Sequence, residues 1–174
     1  MTVVDNLYSG HRWAVPPTAD FHQLDAGDEP AMSSLLRQQR SDAVIHFAGH
    51  IVVPESIANP AKYYRNNVVA SLNLIRACCA SGVRYFIFSS SAAVYGDPEQ
   101  VPVAEHHPTI PINPYGRTKL ITEWTLRDMA LGGRQGSAGL KYVALRYFNV
   151  AGASLDGTLG QATPEATHLI KVAC

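Results

Sequence analysis

Hydrophobic and polar positions divide the chain into short apolar runs separated by longer amphipathic segments. Five segments have the length and pattern of strands, and in order they are "TVVDN", "FHQLDAGD", "DAVIHFAGH", "RYFIFSSS" and "KYVALRYF". The second strand is expected to end at Asp25. The fourth is almost continuously apolar before its serines, which predicts a strand that is buried on both faces of a parallel sheet.

Helices are predicted between these strands. The segment "EPAMSSLLRQQ" has Pro30 in a first-turn position, where proline is well tolerated. The longest predicted helix extends from Pro60 to Gly82, and a glycine is a common helix stop. Its apolar stripe has the spacing of a helix packed on a sheet and consists of Val68, Leu72, Ile75 and Cys79. After a proline-rich loop, residues 115 to about 131 predict another helix, and "GGRQGSAG" predicts a solvent-exposed turn.

This alternation of strands and helices predicts an α/β fold with a doubly wound parallel sheet, Rossmann-like, that binds its ligand beyond the carboxyl ends of the strands. Five residues fall at or just past the predicted strand ends, namely Asp5, Asp25, Gly49, Ser91 and Asn149. We expect them to converge on one edge of the sheet. Packing of a buried core does not explain that placement.

The predicted sheet is incomplete. No strand of the predicted sheet is followed by a G-x-x-G-x-x-G turn, whereas a dinucleotide-binding sheet needs a first strand followed by such a turn, at which a helix N-terminus faces the pyrophosphate. Asp5 is then expected to be the acid about twenty residues after that turn, which accepts hydrogen bonds from the adenosine ribose. An aspartate that simply begins a turn is the alternative.

Composition and charge exclude several classes of partner. The chain has 14 Lys plus Arg against 14 Asp plus Glu and no run of like charges, so neither nucleic acid nor an anionic membrane is expected as a partner. No segment reaches the roughly 18 apolar residues of a membrane span. The three cysteines lack metal-ligand spacing and indicate reduced thiols in the cytoplasm. His106 and His107 are adjacent without a third ligand at a matching spacing, so no metal site is expected.

Tyr115 and Lys119 are the strongest candidates for chemistry. They lie four residues apart in "NPYGRTK", so on a helix both side chains share a face. A cation at that distance favours phenolate and lowers the tyrosine pKa from about 10, as a general base requires. Ser91 can hydrogen-bond both the phenol and a substrate oxygen. The residues alone also allow a coincidental pair and a serine in an ordinary turn.

Six motifs resemble, in order and spacing, the extended short-chain dehydrogenase/reductase superfamily and, within it, the UDP-glucose 4-epimerases. They are "DNLYSG", "HFAGH", "ESIANPAKYYRNNV", "SSSAAVYGD", "NPYGRTKLITEW" and "LRYFNVAGA", and the resemblance covers nearly the whole chain. It implies an NAD-dependent isomerase that interconverts UDP-glucose and UDP-galactose through transient oxidation at C4. It also implies a cytoplasmic enzyme that forms homodimers through the helices at 60–82 and 115–131.

The resemblance implies roles for individual residues. In the catalytic set, Tyr115 matches the general base, Lys119 the residue that lowers its pKa and binds the nicotinamide ribose, and Ser91 their hydroxyl partner. The matching cofactor-binding positions are Asp5, Asn6, Asp25, Ala26, Phe47, Ala48, Gly49, Asn66, Tyr115, Lys119 and Phe148. The matching substrate-binding positions are Ser91, Tyr115 and Asn149.

Three positions bear on which member of the superfamily the chain resembles. Ile51 stands where many members have a lysine near the cofactor pyrophosphate, so that phosphate charge must be compensated elsewhere. Val150 replaces a common proline, a change expected to be neutral. Dehydratases and decarboxylases carry an acid just after the strand-end serine or threonine, whereas this chain has Ala92. The resemblance therefore favours an epimerase over a nucleotide-sugar 4,6-dehydratase.

The resemblance also implies a domain organisation. Residues 1–150 are expected to form a partial NAD-binding domain that lacks the first strand and the Gly-rich loop, and residues 151–174 to begin a substrate-binding domain. The chain by itself is expected to be inactive and poorly soluble, because two predicted strands lack the neighbour between them and expose apolar edges. The alternative from another class is a non-catalytic module that binds a nucleotide sugar or a protein.

Overall fold

The computed structural model describes residues 1–132 and 139–162, and it has the predicted α/β class. Strands β1 to β5 span Thr2–Val4, Asp20–His22, Ala43–His46, Tyr85–Ser91 and Lys141–Tyr147. Helices α1 to α5 span Glu29–Gln38, Val53–Ala58, Pro60–Tyr63, Ala70–Ala80 and Pro114–Gly132, and a π-helical segment at Tyr64–Val69 joins α3 to α4. The strands pair in parallel as two sheets, β1–β2 and β3–β4–β5. Residues 133–138 of the predicted glycine-rich turn, and the chain from residue 163 onward, lie outside the described residues.

β4 is the central strand of the larger sheet. It pairs with β3 from Tyr85 to Phe88 and with β5 along its whole length, up to the pair Ser91 with Tyr147. The three consecutive serines therefore remain part of the strand at its carboxyl end, and the Ser91 hydroxyl accepts from the backbone N–H of Ala93 in the turn that follows. This end of β4 faces the start of α5, which positions the serines beside the Tyr115 helix.

The hydrophobic core lies between one face of this sheet and the helices. Phe86 and Phe88 of β4 are almost fully buried there, and they pack with side chains of α1, α4 and α5. The members of this core from those helices are Met32, Leu36, Leu74, Ile75, Ala77, Cys78 and Leu126. Burial of such side chains stabilises the fold by about 1.5–3 kcal/mol each, so the core fixes the position of α5 against β4.

Two predictions about this part of the fold are wrong. β2 ends at His22, not Asp25, because the Asp25 carboxylate bonds the backbone of Gly27 in a local turn. The predicted stripe is only partly buried, since Leu72 is exposed. Cys79 is exposed as well. The buried face is instead formed by Ser71, Leu74, Ile75, Ala77 and Cys78. The π-helical segment before α4 shifts the side-chain register, which the 3.6-residue pattern does not anticipate.

β4 is also not buried on both faces. Ile45 and Val143 flank Ile87 in register across the sheet, on the face opposite to the core, and they are 56% and 53% exposed. The described residues place helices α4 and α5 against the other face. The sequence pattern shows how apolar the strand is, but not which of its faces is covered. The sequence pattern likewise does not predict helix α2.

Candidate active site

A cleft of about 90 Å³ lies beyond the carboxyl ends of β1, β2 and β3. The predicted site residues that line it are Asp5, Asn6, Asp25, Ala26, Ala48, Gly49 and Asn66. The structure thus brings together residues that are spread over more than sixty positions of the sequence, as the predicted topology requires. We call this the acidic cleft, because the described residues that line it include two carboxylates and no lysine or arginine.

Local hydrogen bonds hold both carboxylates of the acidic cleft. Asp5 accepts a hydrogen bond from the backbone N–H of Leu7 at 2.6 Å. Asp25 accepts from the backbone N–H of Gly27 at 2.7 Å and from the Asn6 amide at 3.2 Å. A β-carbon at Gly10 would lie 2.4 Å from a carboxylate oxygen of Asp5, so only glycine allows this close approach. The cleft therefore presents fixed acceptors, which suit the hydroxyl groups of a ribose.

Asn67 connects the turn after β3 to helix α5. Its side-chain oxygen accepts from the His50 backbone N–H, and its amide donates to the His50 carbonyl and to the Thr118 hydroxyl. Thr118 in turn donates to the carbonyl of Tyr115. Asn67 is buried within the π-helical segment, a form that often occurs at functional sites. Through Asn67, hydrogen bonds thus link the turn after Gly49 to the first turn of the Tyr115 helix.

Helix α5 begins beside the serine end of β4. The Asn113 side chain accepts from the backbone N–H of Gly116 at 2.8 Å and caps the first turn. The Lys119 ammonium, 3% exposed, donates to the carbonyl of Ser89 at 2.9 Å. It also lies 5.8 Å from the centre of the Tyr115 ring and 3.6 Å from where a β-carbon at Gly49 would be. Lys119 therefore joins the acidic cleft to the phenol.

Burial shifts the pKa values of both Lys119 and Tyr115. Burial lowers the pKa of Lys119 to about 8. Burial raises the pKa of Tyr115, and a hydrogen bond with Ser91 opposes that rise. The net direction for Tyr115 is therefore opposite to the lowered pKa that the spacing of Tyr115 and Lys119 predicts, because in this structure desolvation of the phenol outweighs the bond to Ser91.

Three predicted site residues are not among those that line the acidic cleft. Phe47, Phe148 and Asn149 are exposed, and among the described residues no hydrogen bond joins them to the acidic cleft. Ile51 is 46% exposed. His106 is exposed on its loop, and no group of three or more potential metal ligands occurs in residues 1–132 and 139–162.

Sequence reasoning missed several residues that shape the site. Glu123 lies four residues after Lys119 on the same helix face, and its carboxylate binds Ser90 and Arg146. That spacing of four was visible in the sequence. Tyr8 and His50, whose rings meet edge to face, also line the acidic cleft. Their contact joins residues 42 positions apart, so no local pattern could have identified it.

The chain is similar to known proteins over almost its whole length. The family model described as "NAD dependent epimerase/dehydratase family" matches residues 1–173. A "UDP-glucose 4-epimerase" of Azospirillum brasilense is 53% identical over 171 residues, and one of Lactobacillus helveticus is 49% identical over 168. The alignments cover 98% and 97% of this chain but 48% and 49% of the relatives. The chain thus spans about half the length of the curated relatives it matches.

A solved structure shows the same relationship in three dimensions. The crystal structure of UDP-glucose 4-epimerase from Brucella ovis in complex with NAD aligns with a TM-score of 0.93 at 46% identity. The alignment covers 99% of this chain and 51% of that protein.

None of the helices in the described ranges combines the length and the apolarity needed to cross a membrane.

Proposed function

Because the chain belongs to the NAD dependent epimerase/dehydratase family, we propose that it supplies the cofactor-binding and proton-transferring part of a UDP-glucose 4-epimerase. The observation that carries this proposal is the group at the start of α5. There, next to the acidic cleft, the Tyr115 phenol lies beneath the Lys119 ammonium, and the Ser91 hydroxyl opposes the rise in the pKa of the phenol. A general base, a hydroxyl partner and a fixed cation are the groups that proton removal from a sugar hydroxyl requires.

The acidic cleft fits the adenosine end of NAD. Asp5 and Asp25 can accept hydrogen bonds from ribose hydroxyls, and Ala48 and Gly49 leave space beside them. Lys119 can donate to the nicotinamide ribose from its position near Gly49. When bound, NAD supplies a hydride acceptor that later returns the hydride.

The chain's own residues would then move one proton. Tyr115 removes the proton of the sugar C4 hydroxyl, while Ser91 donates a hydrogen bond to the same oxygen. After the 4-keto sugar has rotated in the site and presents its other face, Tyr115 returns the proton. The configuration at C4 then changes without net oxidation. Lys119 favours the phenolate by its charge. Asn149 would bind the substrate phosphates.

We further infer a homodimer that works in the cytoplasm. Three large apolar residues on the π-helical segment, α4 and α5, namely Val69, Leu72 and Trp124, are at least one-third exposed, and a second copy would cover them. Cys78 and Cys79 are free thiols, as expected in a reducing compartment.

A hybrid protein tests this function. The chain replaces the matching segment of the Azospirillum brasilense relative, and conversion of UDP-galactose to UDP-glucose is measured by a coupled assay. We expect activity in the hybrid and a loss of about 10³-fold in kcat for Tyr115→Phe. A hybrid that folds and binds NAD without turnover would favour the non-catalytic module, and an active Tyr115→Phe hybrid would remove the proposed base.

A further inference from the structure

The three consecutive serines of β4 each meet a different residue of α5. The Ser91 hydroxyl opposes the rise in the Tyr115 pKa, the Ser89 carbonyl accepts from Lys119 at 2.9 Å, and the Ser90 hydroxyl donates to Glu123. Tyr115, Lys119 and Glu123 lie at intervals of four along one helix face. The proposed mechanism uses the first two of these contacts and leaves the third without a role.

Arg146 of β5 fixes the carboxylate of Glu123. Its guanidinium donates to both carboxylate oxygens, at 3.1 Å from Nε and 2.7 Å from Nη2. The remaining nitrogen, Nη1, donates to the Tyr95 hydroxyl at 2.8 Å and to the Glu105 carbonyl at 3.1 Å. Such a bidentate pair has a defined direction as well as strength. β4, β5, α5 and the chain after β4 therefore meet at one ion pair.

The ion pair is enclosed. The side chains of Glu123 and Arg146 are 10% and 23% exposed, and Arg146 lies directly opposite Ser90 in the register of the sheet. Apolar side chains would fill such a site with equal or greater stability. An apolar contact, however, would not fix the register between a helix and a strand as a directional pair does. The pair is therefore suited to positioning.

We propose that Glu123, held by Arg146 and Ser90, is a positioning residue that sets α5 against β4 so that the Ser91 hydroxyl meets the Tyr115 phenol. The proposal rests on the proposed function, since it explains how that base keeps its partner. A helix rises by about 6 Å over four residues, and a strand by about 3.3 Å per residue. A small slide of α5 along β4 therefore separates Ser91 from Tyr115.

Titration of the phenol in this chain tests the proposal without any turnover. Tyrosines labelled with ¹³C at Cζ are followed by NMR, and Tyr115→Phe identifies the signal of Tyr115. Besides Ser91 of β4, the groups that face this phenol are Lys119 of α5 and Tyr63 of α3, with Glu55 beyond Tyr63; none of them is changed. In Ser90→Ala and Glu123→Met, we expect the Tyr115 titration to move to higher pH. Glu123→Gln, which keeps an acceptor, should restore part of the difference.

Matched controls separate positioning from general loss of stability. Glu29→Met leaves Arg76 without its partner on α1, and Ser81→Ala removes a hydroxyl bond to the Ser33 carbonyl; neither should move the Tyr115 titration. If Glu123→Met does not fold, the titration of Ser90→Ala tests the proposal instead, because that variant keeps the ion pair of Glu123 with Arg146. An unchanged titration in Ser90→Ala would overturn the proposal, and so would an unchanged titration in a folded Glu123→Met.

Kinetics of the hybrid give a second readout. Ser90→Ala is expected to lower kcat by about 10- to 100-fold with KM unchanged, since the change displaces the base and not the binding surface. A wild-type hybrid without activity would count against the proposed function alone, because the titration still decides the positioning role. A Ser90→Ala hybrid with full kcat would overturn that role.

Discussion

The ammonium of Lys119 lies over the ring of Tyr115, 5.8 Å from its centre, and is anchored on the carbonyl of Ser89. Lys119 is 3% exposed, and burial lowers its pKa to about 8. No carboxylate of the described residues pairs with Lys119, and a buried lysine in this situation is a costly arrangement. In the proposed enzyme, it places a single positive charge where the phenol loses its proton.

Removing this charge is expected to impair catalysis in the hybrid. Lys119→Met should lower kcat by about 100-fold and move the optimum of the pH profile upward, because the phenol then loses its proton less readily. The measurement is kcat between about pH 6 and pH 10. Lys141→Met, an exposed lysine at the start of β5, is the matched control and should keep the wild-type profile. An unchanged optimum in Lys119→Met would contradict the role of the cation.

Gly116 is expected to be intolerant of a side chain. Its β-carbon would lie 2.5 Å from the Ala93 carbonyl oxygen, so alanine must push the first turn of α5 away from the chain after Ser91. We expect kcat of the hybrid to fall by about 100-fold. Gly132→Ala, in the same helix with open space around it, should leave kcat unchanged and stabilise slightly. Equal effects of the two changes would show that α5 does not need this close approach.

Much of the fold and of this site follows from local patterns in the sequence. β1, β3, β4 and β5 are short apolar runs, and the carboxyl ends of parallel strands meet at one edge. That rule is enough to predict that Asp5, Asp25 and Gly49 share a cleft. Helix geometry alone predicts that Tyr115 and Lys119 share a face.

What the sequence does not predict depends on contacts between distant residues. Asn67 acts through the backbone of His50 and the hydroxyl of Thr118, partners that become neighbours only in the fold. The π-helical segment changes which face of α4 is buried. The direction of the Tyr115 pKa depends on how completely the phenol is desolvated, which spacing does not reveal.

Gly10 is expected to matter for cofactor affinity. Because a β-carbon there would meet the Asp5 carboxylate at 2.4 Å, Gly10→Ala should displace that carboxylate from its position at the end of β1. A hydrogen bond to a charged group contributes about 1.5–3 kcal/mol, so NAD should bind the hybrid about 10- to 100-fold more weakly. Calorimetry with NAD measures the change. Gly160→Ala, which has room for a β-carbon, is the control, and equal affinity in the two variants would remove Asp5 from the ribose site.

The exposed apolar residues of α4 and α5 predict the oligomeric state. Trp124→Glu places a charge on a side chain that is 46% exposed, and we expect the hybrid to change from dimer to monomer in light scattering. Leu155→Glu, on a fully exposed side chain outside these helices, should leave the dimer intact. A wild-type hybrid that is already monomeric, or a Trp124→Glu dimer, would contradict this interface.

His46 is expected to make the chain sensitive to mild acid. Its ring is buried between Phe86 and Phe88 and bonds the Ser71 hydroxyl, and burial, together with the Lys119 charge, lowers its pKa to about 3. The unfolded chain therefore binds a proton near pH 6.5 that the folded chain binds only near pH 3. The contribution of His46 to the free energy of unfolding is therefore fully present above about pH 6.5. Below that pH it falls, by up to about 1.4 kcal/mol per pH unit.

Urea unfolding at about pH 7.5, 6 and 5 measures this loss in the free energy of unfolding. His50 shifts in the same direction through burial, so the contribution of His46 is the difference between the wild type and His46→Gln, whose amide can still bond Ser71. We expect the variant to lose less stability between pH 6.5 and 5, because one fewer proton is taken up on unfolding. His106→Gln, on an exposed loop, should keep the wild-type slope. Identical slopes in wild type and His46→Gln would mean that His46 is already charged in the folded chain, which is incompatible with a ring enclosed by two phenylalanines next to a lysine.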